Sequence, residues 1–111
     1  MTRRLAPSPI RRSELYTELW ISLAGLLRSY AALHGLPRDR TAAIDYDEQR
    51  IRAGHGEKLL ILTRNRDTIT WMRENGSTGT VRLTQAGTLR AADSEQAMDL
   101  AAEDWARELM Q

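Results

Sequence analysis

Apolar residues recur at helical spacing through the first third of the chain, alternate with polar ones through the middle, and return to helical spacing at the end. In the first segment Leu15, Leu19, Leu23, Leu26, Tyr30 and Leu33 form one stripe, which Tyr16, Trp20 and Leu27 widen. Glu14, Glu18, Ser22, Gly25, Arg28 and Ser29 occupy the opposite side, where Ile21 is an outlier. Ser8-Pro9 and Ser13 are both start signals, and Gly35 followed by Pro37 is the stop. So wide an apolar face predicts a helix deep in the core, or one that also meets a second molecule.

From Thr41 to Ala92 the period is two, which predicts strands near 42–51, 58–64, 68–73, 80–84 and 88–91. The breaks at Ala53-Gly54-His55-Gly56, Asn65-Arg66-Asp67, Asn75-Gly76-Ser77-Thr78-Gly79 and Ala86-Gly87 are short, as in consecutive hairpins. Leu60, Leu62, Ile69, Trp71, Val81, Leu83 and Leu89 should face the helices. Arg64, Thr70, Met72, Arg82, Thr84 and Arg90 should form the opposite face. Leu59 and Ile61 make the second strand apolar on both sides, as for a central strand whose outer face is also covered. The last segment reads as a helix from Asp93 or Ser94, with capping-box spacing in Asp93-Ser94-Glu95-Gln96. Met98, Ala101, Ala102, Trp105 and Leu109 share its apolar face, and Trp71 and Trp105 should be buried in the same core.

The expected fold is therefore α+β, a two-layer sandwich. An N-terminal helix, an antiparallel meander of about five strands and a C-terminal helix follow in order, with both helices on one sheet face. Residues 1–12 read as a disordered basic tail and 13–111 as a single domain, the size expected for 111 residues.

Composition narrows the chemistry. Cysteine is absent, which excludes disulfides, thiolate metal ligation and cysteine nucleophiles. No apolar run reaches the roughly 18 residues of a spanning helix, and the start lacks the apolar segment of a secretory signal. The expectation is a cytoplasmic protein with no membrane association. The formal net charge of +1 is unevenly spread. Seven arginines fall in residues 1–40, whereas 93–111 carry six acids against Arg107 alone. Such polarity steers a partner or orients self-association. Lys58 is the only lysine, a bias that a bacterial-like genome of high GC content produces without functional cause.

Candidate catalytic groups are few. His34, in the last turn of the first helix, suits a capping role, and His55 lies in a glycine-flanked turn with Glu57 nearby. No serine sits in a nucleophile-elbow context, and there is no phosphate loop or dinucleotide fingerprint. No catalytic residue and no cofactor is assigned. Asp45, Asp47 and Glu48, with His55, are the candidate ligand or metal set, since alternate carboxylates on a strand point the same way. The competing reading of the acids is an edge strand defended by charge. Arg64, Arg66, Arg73, Arg82 and Arg90 are interleaved with threonines. Sheet-based RNA readers also need exposed aromatic rings, which argues against nucleic acid here. Asn75-Gly76-Ser77 matches a glycosylation sequon but reads better as a turn.

Helix, antiparallel sheet and helix in about this length is similar to the arrangement of frataxin-like domains. The stretch from Lys58 through Trp71-Met72 to the Asn75-Gly76 turn, with the last helix, carries the likeness. The resemblance implies iron binding or a role with iron–sulfur assembly machinery. The chain departs from the family's acidic ridge, having only Glu14 and Glu18 on the first helix, with Asp45, Asp47 and Glu48 for the strand part. Only Asn65-Arg66 and Trp71 stand for the family's motif before its tryptophan. Type III secretion chaperones also join helices to a sheet and act as dimers, but they insert a helix between strands, and this pattern has none. The leading expectation is a non-catalytic protein-interaction or adaptor domain, homodimeric or bound to a protein partner. Its partner surface would be Leu59, Ile61, Thr70, Met72, Arg82 and Arg90. The alternative is a metal- or small-ligand-binding protein.

Overall fold

The structure is a computed structural model and describes residues 12–111. The tail expected over 1–12 lies outside the described residues except for Arg12, which already belongs to the first helix, α1 (Arg12–Gly35). Seven strands follow a 3-10 turn at Leu36–Arg38: β1 (Ala43–Tyr46), β2 (Arg50–His55), β3 (Lys58–Asn65), β4 (Thr68–Arg73), β5 (Thr78–Leu83), β6 (Thr88–Arg90) and β7 (Glu95–Ala97). They pair in sequence order, each antiparallel to the next, as an open sheet. The chain ends in α2 (Met98–Leu109), which packs on that sheet.

The strand count is seven rather than five, for two local reasons. The strand expected over 42–51 is broken by Asp47, whose Oδ1 accepts the N–H groups of Gln49 (2.8 Å) and Arg50 (2.9 Å). An aspartate that captures the amides two and three residues ahead turns the chain. Gly54 and His55, read as part of a break, continue β2, and the turn is confined to Gly56 and Glu57. At the other end the capping box does not form. Glu95 lies in β7 opposite Arg90, and its carboxylate accepts Thr88 Oγ1 (2.6 Å) and Arg90 Nε (3.2 Å). Helix α2 therefore starts at Met98, with Ala97 at its N-cap and no side-chain cap.

Cross-strand partners place Leu60, Leu62, Ile69, Leu83 and Leu89 in one buried layer with Ile51 and Ala53. Trp71 and Val81 border that layer, as does Trp105 of α2, so the two tryptophans are half-buried rather than fully enclosed. Gly79 faces Trp71 across β4 and β5, and the indole lies where a Cβ on Gly79 would sit. The helices occupy this same face, because Arg64 of β3 reaches Thr17 of α1 and Arg73 of β4 pairs with Glu108 of α2.

The buried line of α1 is Trp20, Leu23, Ala24, Leu27 and Ala31, displaced from the leucine stripe expected from spacing. Leu19, Leu26 and Tyr30 flank it half-buried, and Leu33 is exposed. Small residues explain the displacement. Ala24 and Ala31 on α1, like Ala101, Ala102 and Ala106 on α2, are buried and let the two helices lie close together. Gly25 is exposed, and a Cβ there would meet nothing within 4 Å. Gly25→Ala is expected to stabilise the fold by about 1 kcal/mol, read as a higher denaturation midpoint with an unchanged m-value.

Candidate interaction surfaces

The sheet's second face is where the sequence-predicted partner residues meet. One cross-strand row runs Asp45, Arg52, Ile61, Met72, Thr78, and the next runs Arg50, Thr63, Thr70, Thr80. A third runs Asn65, Thr68, Arg82, Arg90, Glu95, and Leu59 lies opposite Gly54 on the other flank. Leu59, Ile61, Thr70, Met72, Arg82 and Arg90 thus share one face, turned away from both helices. Met72 is 40% exposed, with Ile61 beside it half-buried. Two arginines of this face are engaged at its end: Arg82 with Asp67 (2.6 Å) and Arg90 with Glu95.

Arg64, expected on this outer face, is instead on the helix side, opposite Ile69. Its guanidinium donates to Glu48 O (3.0 Å), Arg66 O (3.0 Å) and Thr17 Oγ1 (3.0 Å), and stands 5.7 Å from the centre of the Trp20 ring. It closes one wall of an open cleft of about 730 Å³ between the start of α1 and the turns at 47–49 and 66–67, with Tyr16, Gln49 and Arg66 among its lining.

The candidate ligand set is not brought together. Asp45 lies on the outer face opposite Arg52, and the Asp47 carboxylate is spent on its own turn. Glu48 sits in that turn, while His55 Nδ1 lies 3.3 Å from Thr41 O at the far end of β2. Among the described residues no three of His, Asp and Glu cluster as a metal site would require. His34 Nε2 is buried and lies 3.7 Å from Glu103 Oε2 of α2, beyond hydrogen-bond distance. The Asn75 side chain accepts both the N–H (2.9 Å) and the Oγ (2.7 Å) of Ser77, the turn role expected for that sequon.

Spacing did not single out the seam between α1 and β1. There Arg28 donates to Ile44 O (3.4 Å), with its guanidinium 5.7 Å from the Tyr46 ring centre, and Leu36 stands 76% exposed. The alternation of Ile44 and Tyr46 with Asp45 was the available signal, masked by extending one strand through Asp47.

No protein-family model matches the chain, and neither a curated protein nor a solved structure matches it. No family is therefore shown for the chain, and the frataxin-like likeness stays one of element order and local pattern. Among the described residues no helix is long and apolar enough to cross a membrane.

Four carboxylates are held below the usual range by hydrogen bonds of the folded chain. Asp47 is lowered by the Gln49 and Arg50 amides, Asp67 by Arg82, Glu74 by the Leu59 amide, and Glu95 by Thr88 and Arg90. A lowered folded-state pKa stabilises the fold above the unfolded-state value, and that contribution disappears as pH falls through the folded value. Denaturation midpoints are expected to hold at neutral pH and to decline below about pH 4. Asp47→Asn, which keeps the accepting oxygen but cannot titrate there, should flatten part of that acid limb; an unchanged limb would contradict the role given to Asp47.

Proposed function

We propose that this chain is a non-catalytic protein-interaction domain that self-associates as a homodimer through the outer face of its sheet. The observation that carries the reading is the continuity of Leu59, Ile61 and Met72 across β3 and β4, on the side that neither helix covers. Branched and apolar side chains in the middle of a sheet gain most when a second surface removes them from water. The threonines in the next row, Thr63, Thr70 and Thr80, present methyl groups as well as hydroxyls. They suit an interface core ringed by polar groups. The hydrogen bonds of Asp47, Asp67, Glu74 and Glu95 support the same reading, because they hold turns and strand pairs together rather than converging on a reacting atom.

Sedimentation equilibrium over a wide concentration range tests the proposal. A reversible monomer–dimer equilibrium is expected. Ile61→Lys with Met72→Lys should weaken it on the order of a hundredfold, since two unpaired charges would be buried at the interface. The double variant should keep the native far-ultraviolet spectrum, because both positions lie outside the buried core. A chain that stays monomeric at the highest concentrations, or a dimer indifferent to both lysines, overturns the assignment.

A further inference from the structure

A separate surface lies at the opposite margin of the sheet. β1 is the first strand in the sheet order. The Asp47 N–H bonds Arg50 O, and the register pairs Asp45 with Arg52 and Ala43 with Gly54. In an antiparallel ladder the alternate residues, Ile44 and Tyr46, then turn their backbone groups away from β2. The Arg28 contact to Ile44 O confirms that direction. Beside this edge runs an open groove of about 450 Å³ between α1 and β1, lined by Ala31, Ala32, Ala42 and Ile44 and bordered by Arg28, Arg40 and Asp39. Leu36, the most exposed large apolar side chain among the described residues, lines it, and Tyr46, two residues past Ile44 on β1, lies beside the Arg28 guanidinium.

We infer that this seam binds an extended, acidic segment of a partner protein as an added strand on β1. The outward backbone groups of Ile44 and Tyr46 offer main-chain hydrogen bonds. The alanine-lined groove accepts alternate apolar side chains, and Arg28 and Arg40 take a flanking carboxylate. Arg28 now stops the edge with one long hydrogen bond, which an incoming carboxylate replaces by releasing the Ile44 carbonyl to the added strand. Charge selects the occupant. A second copy pairing β1 with β1 about a two-fold axis would bring Arg28 and Arg40 of both chains into one seam, four cations against the two Asp39 carboxylates. A groove bounded by a strand edge and lined by small side chains fits an extended backbone better than a helix. The inference rests on the interaction-domain reading but not on the homodimer, whose surface lies on the other face.

The test is amide-resolved titration of the isotope-labelled full chain with end-blocked octapeptides of alternating valine and threonine, one series ending in glutamates and one in lysines. Saturable shifts at Ala42, Ile44 and Tyr46 are expected with the glutamate series, together with slowed hydrogen exchange at Ile44 and Tyr46. The lysine series should bind at least about tenfold more weakly, the scale of one charge-assisted contact. Ile44→Pro removes an outward donor without touching the ladder to β2, which an edge strand tolerates, and should abolish binding. Should that variant fail to fold, Arg28→Glu with Arg40→Glu decides, by reversing the preference between the two series. Met72→Lys should leave peptide binding unchanged, so that loss of the dimer and loss of this site are read separately. No saturable shift at these amides at millimolar peptide, equal binding of both series, or shifts confined to the outer sheet face would overturn the inference.

Discussion

Arg64 ties the start of α1 to the sheet and to two of its turns. It projects from β3 towards α1, and one guanidinium satisfies the Glu48 carbonyl, the Arg66 carbonyl and the Thr17 hydroxyl while standing over Trp20. The Trp20 indole in turn donates to Asp47 O at 2.7 Å and is fully buried. Two hairpin turns and one helix are thereby fixed to a single point. Arginine suits the position because its planar fork carries several donors in fixed directions, and its stem packs against apolar surface while its head meets oxygen. A lysine would supply the charge without the fork. With α1 tied down at this end and α2 held by the Arg73–Glu108 pair, both helices remain on one face. The other face is left as a bare sheet.

Much of that arrangement was legible from periodicity. The inward leucines of β3 and β5, the outer-face set from Leu59 to Arg90 and the end of α1 at Gly35 follow from spacing and one stop signal. What escaped was decided by side chains acting on nearby backbone. Asp47 divides a run of residues that alternates acceptably as one strand, because a carboxylate bonding two amides outweighs a pattern of alternation. Glu95 answers to Arg90 and Thr88 across a strand pair instead of reaching back to cap a helix, and local sequence holds no sign of which partner wins. Arg64, expected on the outer face, shares the two-residue spacing of Leu60 and Leu62, which places it inside. Period was the better guide than polarity.

The same distinction bears on the candidate sites. Asp45, Asp47, Glu48 and His55 are close in sequence, yet a hairpin separates them, since strand pairing brings opposite residues together and sends near neighbours to different faces and ends. Conversely, Leu59, Thr70, Met72 and Arg90 are spread over more than thirty positions and converge on one face, because every connection in the meander preserves the register.

The two exposed features of the sheet differ in kind, and this separates their roles. The outer face presents side chains whose gain on contact comes from leaving water, an interaction that tolerates any apolar surface of matching shape. The β1 edge presents backbone groups with fixed spacing and direction, next to arginines that disfavour a like charge, so a segment added there would be selected by conformation and sign. A domain that used its edge for self-pairing would have to bury that cationic seam against itself. One that uses its face for self-association leaves the seam open, and each copy in the pair carries its own. Were both proposals to hold, a dimer would carry two separated peptide sites, and a partner with two acidic strands would gain through effective concentration rather than through new contacts.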